Sequence, residues 1–204
     1  MHEKLSRGLT FGLVGNIFFV LFSLVCYLYY KTFGTEGIVI KFIEIIAYAC
    51  EAAGFAFLLL SIILISRTVR MRIWLKIGFS IYLAAELILM FLELNSFKFD
   101  FYKPYSLVLA IGHAVFSGAV CFSFLSLDPG KTCLEVMTTV SVAIMFGGML
   151  GNILGIRVYF SILTNAVSFI VLFASIKWML SREMIEIDCY GDKARVAEYK
   201  STFF

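Results

Sequence analysis

"KFIEIIAYACEAAGFAFLLL", residues 41–60, decides the fold. It lies within an apolar run from about 38 to 66, and at 1.5 Å per residue such a run crosses the roughly 30 Å hydrocarbon core of a bilayer. Yet it carries Lys41, Glu44 and Glu51. A membrane helix that holds two carboxylates seven residues apart needs a reason for them.

The surrounding chain makes the membrane reading the natural one. Of 204 residues 61% are hydrophobic and 15% charged, with 22 Phe and a mean hydropathy of +0.95. A soluble domain of this size cannot hide so much apolar surface. No basic stripe stands outside the apolar runs, which excludes nucleic acid as a partner. Six apolar segments follow one another, at about 8–30, 38–66, 73–95, 105–127, 133–155 and 158–180. The expected fold is therefore all-α, a polytopic membrane protein with a bundle of six transmembrane helices over 1–180 and a tail or linker over 181–204. The lipid bilayer is its first partner.

Charge sets the orientation. Lys4 and Arg7 precede the first segment; Arg67, Arg70 and Arg72 lie between the second and third, and Lys131 between the fourth and fifth. The tail adds Arg182, Lys193, Arg195 and Lys200, whereas the opposite loops hold Lys31, Lys98, Lys103 and Arg157. The positive-inside bias puts both termini in the cytoplasm, and the expected location is a bacterial plasma membrane. "FKFDFYKPY", 97–105, mixes aromatics with Lys as an outer interfacial anchor does. The five cysteines form no C-x-x-C and read as small apolar thiols.

Glu44 and Glu51 point the same way, near Tyr48, because seven residues are close to two helical turns. The third segment repeats the pattern in "IYLAAELILMFLELN", 81–95, with Glu86 and Glu93 seven apart and Tyr82 one turn from Glu86. Counted from the Arg-rich loop, Glu51 and Glu86 both lie about 20 Å deep, while Glu44 and Glu93 reach the outer boundary. The outer pair reads as interfacial, with Glu44 beside Lys41. A buried acid costs on the order of 2–3 kcal/mol even on the lenient insertion scale, so Glu51 and Glu86 must face protein or water. His113, in "LAIGHAVFSG", comes to the same depth from the other side, on a stripe with Ser106 and Ser117. Asn165, among Ser161, Thr164, Ser168 and Ser175 of the sixth segment, lies near it, and the first segment offers Gly12, Asn16 and Ser23 on one face.

Carboxylates and an imidazole in a low dielectric do not all hold charge together. Such a group suits proton exchange, or the binding of a cation or amine-bearing solute. The leading expectation is translocation of a small solute or cation, proton-linked, through a site of Glu51, Glu86 and His113 with Tyr48, Tyr82 and Asn165. The alternative is a sensor that binds a ligand in the same pocket and signals through the tail. No metal or cofactor is implied: His113 is the lone buried histidine, without H-x-x-x-H or E-x-x-H spacing. In "FGGMLGNILG", 146–155, Gly147, Gly151 and Gly155 at four-residue spacing suit close helix packing or a homo-oligomer.

Three further stretches carry partial motifs. "DPGKT", 128–132, ends like a phosphate loop, but Leu125 stands where the first glycine belongs, and Asp128 reads as a turn or cap residue. "GHAVFSGAVC", 112–121, resembles the His and Cys of AgrB-type membrane peptidases, which would imply an intramembrane peptidase. Ala110 and Ile111 replace that family's paired glycines, the spacing to Cys121 is one too long, and eight residues set His113 and Cys121 about 80° apart on a helix. An enzyme is thus the third expectation. The tail "DKARVAEYKSTFF" is similar to the linker before the helix-turn-helix of membrane-tethered LuxR-type regulators, which implies a sensor cut before its output domain. An amphipathic tail on the inner membrane surface is the other reading.

Overall fold

The structure, a computed structural model, describes residues 2–32, 38–69, 71–94, 102–128, 130–153 and 158–184. The segment 95–101, Gly155, Arg157, Cys189 and the rest of the tail lie outside them. Six helices follow in order: α1 (His2–Thr32), α2 (Ile38–Ile65), α3 (Arg72–Leu94), α4 (Tyr102–Leu125), α5 (Thr132–Ile153) and α6 (Val158–Ser181). There is no strand among the described residues.

The helices fall on the six apolar segments, with one difference. α1 starts at His2 rather than near residue 8, because Arg7 bonds Glu3 one turn back at 2.6 Å and Leu5 and Leu9 are fully buried. Where six spans are expected, three described helical stretches are long and apolar enough to cross a membrane: Glu3–Tyr29, Lys41–Ile65 and Ile162–Ser181. α4 and α5 offer the shorter apolar stretches Ile111–Leu125 and Thr132–Gly148. α3, which carries Arg72, Lys76, Glu86 and Glu93, is not among these stretches.

The helices pack as three antiparallel hairpins, α1–α2, α3–α4 and α5–α6, with α1 against α6 and α4 against α5. α2 and α3 touch least of the sequence neighbours. Glycine draws each hairpin together. A Cβ on Gly15 would stand 2.9 Å from the Gly54 carbonyl of α2, and one on Gly78 would meet Ala119 of α4 at 2.7 Å. In α5 the close approach is made by Gly148, where a Cβ would strike the Thr164 hydroxyl. Within the chain Gly147 makes no such approach: a Cβ there would meet nothing within 4 Å, and it lies on the outer face beside exposed Phe146. Gly151 belongs to α5, and nothing further is described of its surroundings.

Helix ends are closed by local chemistry. Ser66 and Thr68 hydroxyls donate to the Ile63 and Ile65 carbonyls at 3.1 and 2.8 Å at the end of α2, the Ile65 carbonyl also accepting from the Thr68 and Val69 N–H groups. Asp128 serves as a turn residue: its carbonyl accepts from Lys131 N–H at 3.3 Å, with Gly130 at φ 86° inside the turn. α6 ends where Met184 N–H bonds the Met179 carbonyl and Glu183 N–H the Leu180 carbonyl, with Glu183 left-handed at φ 55°.

A run of rings forms the centre. Phe19 of α1 meets Phe55 of α2 at 5.0 Å, Phe55 meets Tyr82 of α3 at 5.4 Å, and Tyr82 stacks on Phe116 of α4 at 5.3 Å. Phe116 continues to Phe169 of α6 at 5.4 Å, and Phe169 to Phe173 at 5.8 Å. Polarity runs outward in the reverse of a soluble protein's sense. Asn16, Ser61, His113, Ser141, Asn165 and Ser168 are buried, while Ile17, Leu60, Ile77, Phe122, Phe146 and Val171 stand exposed, one on each helix. These long apolar helices are compatible with an integral membrane protein.

Candidate functional site

The Phe55–Tyr82 contact sets the register of the site. Glu51 is one turn before Phe55 on α2 and Glu86 one turn after Tyr82 on α3. Because α2 and α3 run oppositely, both carboxylates come to one level, as the depth count expects. The Tyr82 hydroxyl hydrogen-bonds Glu86, and Glu51 lies near enough to act electrostatically on the same hydroxyl. Glu51 is half-buried.

α4 and α6 complete the row. His113 Nε2 stands 3.6 Å from Glu86 Oε1, with the two side chains only 9% and 13% exposed. On its other edge, Asn165 Nδ2–H donates to His113 Nδ1 at 3.4 Å. With the amide so placed, Nδ1 is an acceptor and Nε2 carries the ring hydrogen toward Glu86. The imidazole also lies 4.5 Å from the Tyr82 ring, centre to centre. Gly112 lets α3 come this close, since a Cβ there would already be 3.2 Å from Ala85. Tyr82, Glu86, His113 and Asn165 thus form one continuous polar group joining α3, α4 and α6.

Beside this group is a cavity lined by residues of α1, α2, α3, α4 and α6, among them Asn16, Tyr82, His113, Phe116, Asn165 and Phe169. It has room for about one water molecule. Asn16 enters it from α1, held by its Nδ2–H to the Gly12 carbonyl at 2.8 Å. Asn165 Oδ1 and the Ser117 hydroxyl are buried without a hydrogen-bond partner.

The other sequence candidates go elsewhere. Glu44 accepts from the Tyr29 hydroxyl at 3.0 Å rather than pairing with Lys41, which is exposed; α1 supplies a partner that a count along α2 alone does not reveal. Tyr48 acts on Tyr29 in that same α1–α2 group. The side chains of Glu93 and Ser106 lie outside the described residues. Ser168 returns its hydroxyl to the Thr164 carbonyl at 2.9 Å, a helix-internal use. Cys121 packs in the apolar core beside Phe116 and Phe124, while His113 is engaged by Glu86 and Asn165. No group of three or more His, Cys, Asp or Glu suited to a metal ion occurs among the described residues.

What sequence reading missed is the aromatic wall. Phe55, Phe116 and Phe169 separate and orient the polar side chains, and Phe55 sits four residues after Glu51, the spacing that places it on the same face. No known protein family, curated protein or solved structure matches the chain.

Proposed function

We propose that this chain is an integral membrane protein with six spans and both termini inside, and that it moves a small cation or solute in a proton-linked manner. The bundle presents apolar side chains outward on every helix and polar ones inward, which is the polarity a bilayer requires. The shorter apolar stretches of α4 and α5, and the charged α3, span as members of the bundle, with Glu86, His113 and Ser141 turned to protein.

The observation that carries the proton-linked reading is the Glu86–His113–Asn165 row, buried at one level with Glu51. A carboxylate beside an imidazole in a poorly hydrated site can hold one proton in more than one place, which is what coupling demands. The adjoining gap, with room for about one water, admits a proton or a small ion in this conformation; a larger solute requires the helices to part. The thin α2–α3 contact is where they part most readily.

The test is flux in vesicles reconstituted with pure protein and an internal pH dye. An imposed pH gradient with a set membrane potential should collapse faster than in empty vesicles. Glu86→Gln and Glu51→Gln should insert and fold, since an amide still hydrogen-bonds, yet each should lose the pH-dependent flux. Flux unchanged in both Gln variants would remove these residues from the path, and no flux in the wild type would remove transport itself.

A further inference from the structure

We propose that Asn165 is the positioning residue that decides whether His113 can receive a proton from Glu86, and that the close approach of α5 at Gly148, beside Thr164, sets where its amide stands. This rests on the proton-linked reading of the site.

An amide has two unlike ends, a donating NH2 and an accepting carbonyl. In the structure Nδ2–H faces His113 Nδ1, so the ring hydrogen is on Nε2, directed at Glu86. In this form Nε2–H stands 3.6 Å from the Glu86 carboxylate, and the ring has no lone pair there with which to take a proton. Asn165 Oδ1 meanwhile is buried without a partner, on the side where a Cβ at Gly148 would come within 3.4 Å of it. A half-turn of the amide exchanges the two ends. For Oδ1 to accept from Nδ1–H, the ring takes up a proton at Nδ1 by way of the adjoining gap, giving imidazolium beside the Glu86 carboxylate; Nε2–H can then pass to Glu86, leaving a neutral Nδ1–H ring whose Nε2 lone pair faces the protonated carboxyl, and the proton returns to Nε2 by the reverse step. The NH2 now lies against α5.

Every neighbour of the ring fits this role. From α3 the titratable groups are Glu86 and Tyr82, with Glu51 of α2 acting on Tyr82; α1 brings Asn16 to the same gap, and α6 brings Asn165. Asn165 is the one that touches Nδ1. α5 comes up behind Asn165 with no side chain at Gly148, and the α5–α6 packing at Thr164 is tight enough that any Cβ there must displace something. A Cβ at residue 148 would meet Asn165 Oδ1 only at ordinary contact distance and would strike Thr164, so it would reach the amide by displacing the neighbouring turn of α6.

The test reads the tautomer directly. The chain has two histidines, so His2→Gln leaves His113 as the single imidazole, and nitrogen-15 NMR of the labelled protein in lipid bilayers distinguishes Nε2–H from Nδ1–H. At high pH the parent should be chiefly Nε2–H. Asn165→Asp, the same shape with only acceptors, should reverse this to Nδ1–H; Asn165→Leu should leave a mixture. Gly148→Ala should alter the tautomer ratio, and Gly147→Ala, whose added carbon meets nothing, should not. If Gly148→Ala fails to fold, the Asp and Leu variants still decide. Tautomer populations unchanged by Asn165→Asp would overturn the proposal. The same samples, assayed for proton flux, separate the two claims: absent flux with a reversed tautomer sinks transport and leaves the positioning role of Asn165 intact.

Discussion

Glu183 occupies a left-handed conformation at φ 55° where helices usually place glycine. Its Cβ crowds the neighbouring carbonyl, at a cost of about 1–2 kcal/mol that glycine does not bear. The flanking bonds from Met184 and Glu183 to Met179 and Leu180 fix the conformation regardless of side chain. Glu183→Gly is therefore expected to raise unfolding stability in detergent by about 1 kcal/mol, less whatever the carboxylate contributes. An unchanged or lowered midpoint would mean that the Glu183 side chain has a partner worth as much as the strain. At this scale the sequence was legible where one helix sufficed. The common depth of Glu51 and Glu86 follows from a fixed rise per residue, and the structure sets both one turn from the Phe55–Tyr82 contact. The partner of Glu44 was not legible, because Tyr29 belongs to another helix and its approach depends on the α1–α2 register.

Two glycines show what decides the packing of an element. A Cβ on Gly12 would run into the ring of Phe173, which is fully buried and held by Phe124 and Phe169, and would also come within 2.8 Å of the Ser61 hydroxyl. A Cβ on Gly147 would reach open space. Gly12→Ala should thus destabilise by about 1–3 kcal/mol through overpacking. Gly147→Ala should stabilise by up to about 1 kcal/mol, because alanine is the better helix former and nothing opposes it. Thermal unfolding of the two variants in one detergent compares them directly, and equal shifts would contradict the α1–α6 packing. In the sequence these glycines look alike, and the four-residue spacing in α5 looks the stronger signal. Spacing reports that glycines share a face; it does not report which way the face is turned. Rotation of α5 about its axis, set by its contact with α6, presents Gly148 inward and Gly147 outward.

Across the whole molecule, alternation of six helices gathers one set of ends together: the start of α1, the link from α2 to α3, the link from α4 to α5 and the close of α6. Those ends carry exposed Lys4, Arg7, Arg67, Arg72, Lys131 and Arg182. They also carry both tryptophans of the chain, Trp74 and Trp178, 65% and 53% exposed. Indole rings beside basic side chains are the composition of a membrane–water interface, and the positive-inside bias predicts that this basic side faces the cytoplasm. The composition and the six segments made this arrangement readable from the sequence. The aromatic axis was not readable, since 22 Phe announce apolarity without saying that Phe19, Phe79, Phe116, Phe124, Phe169 and Phe173 are among those that face inward. The orientation gives the largest-scale prediction. Reporters placed after Ser66 and after Phe204 should be active on the cytoplasmic side, and one inserted within 95–101 should be active outside. The basic ends then lie where the positive-inside bias requires, and Glu51, Glu86 and His113 fall about 20 Å from the inner surface. If the reporter within 95–101 is cytoplasmic, either α3 or α4 fails to cross. Glu86 and His113 would then sit at a surface rather than in a bundle, and their burial against each other would need water, not lipid, around it.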